Sequence, residues 1–210
     1  MLAEPRFFVY DESTHRGDDS IHDSRTRSMK ILSTLSIILV VLVLPDTVLS
    51  QQPLLSPRDS VEISFNGMKI SVNYGRPSMR GRKIMGGLVP YNRWWRTGAN
   101  EATAFVTQAD LVLGGKEIPK GSYTMYTMPS AKQWKLIINK QTGQWGTVYK
   151  PELDLVRIPL KKKMLKNPVE KFTITLEKTG KNTGVLRLVW EKTDLSVDFK
   201  VKKAPNTNPR

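Results

Sequence analysis

From Val61 onward, apolar residues fall on every second position, and short turns cut the alternation into strand-length pieces. A period of two places residues i and i+2 on the same face of an extended chain, the pattern of strands buried on one side. Val61, Ile63 and Phe65 alternate with polar residues, Asn66-Gly67 follows, and Ile70, Val72 and Tyr74 resume the alternation. An Asn-Gly pair between two such runs predicts a two-residue hairpin, because both turn positions need positive φ. Gly114-Gly115 repeats the device between Leu111–Leu113 and Lys116–Ile118, and Tyr123–Met128 and Trp134–Ile138 flank a Pro129-Ser130 turn. Toward the C-terminus, Phe172, Ile174 and Leu176 alternate, then Leu186, Leu188 and Trp190, then Leu195, Val197, Phe199 and Val201. These three runs predict a three-strand antiparallel meander with one apolar face. No amphipathic helix is legible after Pro53 and no unit repeats. The fold class expected is all-β: a single antiparallel β-sandwich over residues 54–203, with about nine to eleven strands. Residues 204–210, polar and carrying two prolines, are expected to be a disordered tail.

The N-terminal quarter has a different character. Ile31–Leu44 is a run of 14 residues, apolar except for Ser33, Thr34 and Ser36. It is shorter than the roughly 20 residues that span a bilayer. Lys30 precedes it, Pro45 ends it, and Val48-Leu49-Ser50 supplies short residues for cleavage, so residues 29–50 have the build of a signal peptide. The expectation is export to the periplasm or outside, a cut near Ser50–Gln51, and no stable membrane span afterwards. Residues 1–28 carry both signs of charge and suit no signal peptide; they are expected to be an upstream mis-start or a cytosolic tail.

The chain has no cysteine, and its two histidines, His15 and His22, both precede Gln51. Disulfides, thiolate metal sites and histidine-based triads are therefore excluded from the part that folds. Neither phosphate-cradling glycine motif occurs, nor does Ser-x-x-Lys. No metal and no cofactor are expected. Carboxylates alone can serve a glycosidase, and a pair such as Glu101 and Asp154 is available, though no spacing singles it out. The expectation is a domain that is not an enzyme, with a histidine-free carboxylate hydrolase as a further alternative. From Gln51 onward there are 28 Lys+Arg against 12 Asp+Glu. An exported domain of that sign meets phosphates, anionic envelope surfaces and acidic sugars, and nucleic acid is not expected as a partner.

One stretch concentrates candidate binding groups. Arg76, Arg80 and Arg82 stand in a loop after the first hairpin, which leads to Arg93-Trp94-Trp95-Arg96-Thr97-Gly98-Ala99-Asn100-Glu101. Indole faces stack on sugar rings or cations, and guanidinium forks bind carboxylate or phosphate. The candidate ligand site is Arg76, Arg80, Arg82, Arg93, Trp94, Trp95, Arg96, Asn100 and Glu101, for an anionic or sugar-like ligand. The competing reading is a structural corner, with Arg96 paired to Glu101. Adjacent residues of an extended strand point to opposite faces, so both tryptophans share one core only if the chain bends there. Lys161-Lys162-Lys163 and Lys166 are expected in a solvated loop before Pro168, and Lys200 and Lys202 on the solvent face of an edge strand.

Tyr74-Gly75-Arg76-Pro77, Gly81-Arg82, the string Trp95-Arg96-Thr97-Gly98-Ala99-Asn100-Glu101-Ala102-Thr103, Pro119-Lys120-Gly121-Ser122-Tyr123, Asn139, Trp145-Gly146 and Leu188-Val189-Trp190-Glu191 occur in this order. The succession resembles a bacterial family defined only as a domain of unknown function, family twenty-nine-eleven, from about Ser56 to Val201. Where that family has P-A-G-T-Y, this chain has Pro119-Lys120-Gly121-Ser122-Tyr123. The resemblance implies an export signal before one β-rich domain and brings no activity, substrate or catalytic residue. A protein-interaction or structural domain of the cell envelope is the alternative to a binding module.

Overall fold

A computed structural model of the chain describes residues 55–202. The expected extension over 1–28, the signal peptide over 29–50 and the tail over 204–210 lie outside the described residues.

Ten strands form two sheets. They are β1 (Arg58–Phe65), β2 (Met68–Gly75), β3 (Thr103–Thr107), β4 (Leu111–Leu113), β5 (Lys116–Ile118), β6 (Gly121–Met128), β7 (Lys135–Asn139), β8 (Asp154–Pro159), β9 (Lys161–Lys178) and β10 (Thr183–Val201). One sheet has the order β1-β2-β3-β6-β7-β8 and the other β5-β4-β10-β9. Every pairing is antiparallel. The one short helix among the described residues is a 3-10 turn over Pro151–Leu153. The all-β sandwich expected from the alternation is the fold observed.

The hairpins form where their turn residues demand. Asn66 and Gly67 both take positive φ, 51° and 80°, and Phe65 pairs with Met68 across them. Gly114 and Gly115 do the same at 53° and 81° between β4 and β5. The alternating apolar residues then meet between the sheets in one core. It includes Phe65, Ile70, Val72, Phe105, Met125, Leu136, Phe172, Leu188, Trp190, Val197 and Phe199.

The C-terminal meander is corrected. Leu186–Trp190 and Leu195–Val201 belong to one continuous strand, β10, paired along its length with an equally long β9. Buried positions are even up to Trp190 and odd from Leu195. The change of parity arises at Glu191, whose φ of 53° puts an irregularity into the strand, with register shifts on both sides. A left-handed residue inside a ladder redirects every side chain beyond it without ending the strand. For the same reason Lys161–Lys163 and Lys166 lie in β9 and not in a loop, with Pro168 inside the irregular stretch. Lys200 is on a strand flanked by β4 and β9, so it guards no edge. Lys202, just beyond β10, pairs with Glu117.

Candidate functional site

The segment between β2 and β3 crosses the end of the sandwich, and its geometry begins at Trp95. β3 stops pairing with β6 at Thr103–Met125, and Trp95 takes the next place beside β6. Its backbone exchanges two hydrogen bonds with Thr127, of 2.8 and 2.9 Å. No bend separates the two tryptophans, so they fall on opposite faces. Trp95 goes between the sheets, stacked on Trp190 at 5.8 Å and edge-on to Phe172 and Trp134. Trp94 goes to the outer face, against Tyr126 and Tyr149 at 5.6 and 5.0 Å.

After Trp95 the chain turns tightly. Thr97 and Asn100 hold φ of 54° and 62°. A β-branched residue is costly in the left-handed region, and it persists where its surroundings over-determine it. At Thr97 the hydroxyl lies 3.2 Å from the Thr127 hydroxyl, and its carbonyl accepts from Thr103 Oγ1 at 2.8 Å. Two glycines make room for the turn. A Cβ on Gly75 would lie 2.0 Å from the Ala99 carbonyl oxygen, and one on Gly146 would lie 2.5 Å from the Asn100 carbonyl oxygen and 2.8 Å from Arg96 Cδ.

The loop after β7 closes the other side. Gly146 N–H donates to the Asn100 carbonyl, Ala102 N–H to the Gln144 carbonyl, and the Tyr126 hydroxyl to the Val148 carbonyl at 2.6 Å. Burial pushes the Tyr126 phenol above its ordinary pKa, against the Gln144 hydrogen bond that lowers it. Burial, together with the Asp154 carboxylate that accepts its hydroxyl at 2.8 Å, pushes Tyr149 up to about 12. Both phenols are therefore neutral hydrogen-bond donors at neutral pH.

Between these parts lies an open cleft of about 360 Å³. Trp94, Trp95 and Trp190 line it, with Arg82 and Arg96, while Leu88 and Thr147 come from the flanking loops. Among the described residues no carboxylate lines it. Arg96 Nε donates to the Gly98 carbonyl at 3.2 Å, and Arg82 donates from Nε and Nη2 to the carbonyls of Met79 and Ser78. Neither guanidinium pairs with an acid among the described residues.

Of the nine residues expected at the site, the structure brings Arg82, Trp94, Trp95 and Arg96 to this cleft. Arg76 belongs to the framework: it pairs with Asp59 at 3.2 Å and donates to the Phe172 carbonyl and the Thr173 hydroxyl, fastening β2 to β9. Arg80 donates to the Leu55 carbonyl and lines a neighbouring cavity with Arg58, Arg76 and Lys171. Arg93 is exposed. Asn100 holds the Ser56 carbonyl through Nδ2 at 3.1 Å. Glu101 does not meet Arg96; it pairs with Arg58 at 3.5 Å. Asp154 is occupied by Asn139, Tyr149 and Arg157. Glu101 lines a cavity with Arg58 and Gln144. Among the described residues no three or more His, Cys, Asp or Glu side chains come together as a metal site.

Sequence reasoning missed three contributors. Trp190 is expected in the core and is there, yet it also lines the cleft; Leu88 and Thr147 lie in loops with no pattern to mark them. The signal for the loop packing was Gly75 and Gly146, glycines without positive φ whose only requirement is space.

No curated protein and no solved structure matches the chain. A family model does, over residues 56–199, and its description is Protein of unknown function (DUF2911). That span takes in both sheets and the cleft, and the chain belongs to this family.

Proposed function

We propose that the chain is an exported binding module whose cleft holds an anionic, sugar-like ligand of the cell envelope. The observation that carries the reading is the imbalance in the cleft: among the described residues, two guanidinium groups, three indoles and no carboxylate. A guanidinium offers five N–H donors and no acceptor. Arg96 spends its Nε on a backbone carbonyl, which fixes the fork and leaves both terminal nitrogens for a phosphate or carboxylate oxygen. Aromatic surface beside such a fork suits a sugar ring, whose C–H face packs on indole while its acidic group reaches the arginines. The strained turn at Thr97 and Asn100 supports the reading as well, since backbone strain collects where a site is pre-organised. The ligand-binding residues of this proposal are Arg82, Trp94, Trp95 and Arg96.

The test is thermal denaturation of the Gln51–Arg210 protein with a hexose phosphate and with the same hexose unphosphorylated. A ligand at 100 times its dissociation constant adds about 2.7 kcal/mol of apparent stability. The expected result is stabilisation by the phosphate sugar, absent in Arg96→Lys at an unchanged basal melting temperature. A large drop in the melting temperature of Arg96→Lys without any response of the wild type to either sugar would make the arginine a structural fork instead.

A further inference from the structure

Six large hydrophobic residues are exposed among the described residues: Leu55, Leu88, Val106, Trp145, Val148 and Met164. Three of them stand on the two loops that border the cleft. Leu88, 49% exposed, lines the cleft. Trp145 and Val148, 51% and 43% exposed, flank Thr147, which lines the cleft from the opposite loop. The Trp145 backbone bridges to Glu101, and that pairing is indifferent to the side chain. Arg82 and Arg96, which line the cleft, pair with no carboxylate among the described residues.

We propose that the mouth of the cleft docks on an anionic phospholipid bilayer, with Leu88, Trp145 and Val148 entering the interface and Arg82 and Arg96 meeting lipid phosphates. Indole and leucine side chains partition into the interfacial zone, and cationic groups beside them are drawn to an anionic leaflet within a Debye length. The surplus of basic residues, 28 Lys+Arg against 12 Asp+Glu from Gln51 onward, gives the approach its direction. Contact of this kind needs no spanning segment, and no described helix is long and apolar enough to cross a membrane. The inference rests on the cleft reading only for the place of the phosphate; the apolar rim stands without it.

The test is co-sedimentation of the Gln51–Arg210 protein with vesicles of phosphatidylcholine alone and with phosphatidylglycerol added. The described residues share one core of their own, and leaving out Ile31–Leu44 removes a run that would bind lipid by itself. Binding is expected to the anionic vesicles only, to weaken with salt, and to fall roughly tenfold or more in Leu88→Ser/Trp145→Ser. Arg96→Gln should lower it roughly fivefold. Quenching of indole fluorescence by brominated acyl chains gives a second readout, expected in the wild type and reduced in Trp145→Ser. Equal binding of neutral and anionic vesicles, or a rim variant that binds and is quenched like the wild type, overturns the docking surface. In that case a response to hexose phosphate would still sustain the cleft. Rim-dependent vesicle binding with no hexose phosphate response sustains the docking surface and sinks the sugar reading.

Discussion

Thr97 concentrates the physics of the site in one residue. Its left-handed φ is unfavourable, and the hydroxyl contact to Thr127 and the accepted bond from Thr103 hold it there. The turn also needs two places where no side chain stands. Gly75→Ala would drive a Cβ into the Ala99 carbonyl, backbone that has no rotamer to move, and should cost about 1–3 kcal/mol or more in denaturant unfolding. A loss below about 0.5 kcal/mol, the size of an ordinary surface substitution, would mean that the loop does not approach β2 as described. Trp190, 2% exposed and stacked on Trp95, should cost about 3–5 kcal/mol when cut to alanine. A cost under about 1 kcal/mol would place Trp190 outside the core. At this scale the sequence was informative about direction and poor about partners. Period two puts Trp94 and Trp95 on opposite faces unless the chain bends, and the two do pack on opposite sides. It offered Glu101 as the partner of Arg96, and the structure gives Glu101 to Arg58, a residue 43 positions away that no local rule selects.

The long strand β10 shows what alternation can and cannot decide. Its burial parity flips between Trp190 and Leu195, and a turn and an irregularity within a strand leave the same mark on a hydrophobic pattern. Turn chemistry separates them: Glu191-Lys192-Thr193-Asp194 has no Gly, Pro or Asn, whereas the true turns at Asn66-Gly67 and Gly114-Gly115 do. The irregularity has a local price, since Glu191 takes φ of 53° and offsets part of it by accepting the Met85 N–H through Oε2 at 3.0 Å. Both Glu191→Ala and Glu191→Gly lose that bond, but only glycine relieves the backbone. Glu191→Gly should therefore be more stable than Glu191→Ala by about 1 kcal/mol. The reverse order in urea unfolding would argue against a left-handed residue at this point. The lysine run in β9 misled for a related reason. Exposed lysines read as loop, but their strand is held by pairing with β10 and not by its own propensity.

For the molecule as a whole, the buried tyrosines contribute to the loss of stability at alkaline pH. Tyr74, Tyr123, Tyr126 and Tyr149 are all raised by burial, Tyr149 from 10 to about 12. A phenol whose folded pKa is raised contributes stability that is fully present below its unfolded pKa. That contribution is lost as pH rises through the folded value. Stability should therefore decline from pH 10 toward pH 12, and the decline should be shallower in Tyr149→Phe; identical pH profiles would remove Tyr149 from the account. From the sequence of the first fifty residues we propose export, with a mature chain expected to begin near Gln51. Intact-mass measurement on the protein from an envelope fraction checks it, and a species that keeps Met29–Ser50 would point to an anchor. The central claim is that anionic ligands gather between Arg82 and Arg96 against the indoles. It is tested most directly by NMR titration of the Gln51–Arg210 protein with a hexose phosphate, read at the indole N–H signals of its five tryptophans and at Arg Nε–H. Saturable shifts at Trp94, Trp95 and Arg96, with the buried Trp134 unmoved, are the predicted result; shifts confined to lysine-rich β9, or none that saturate, would contradict it.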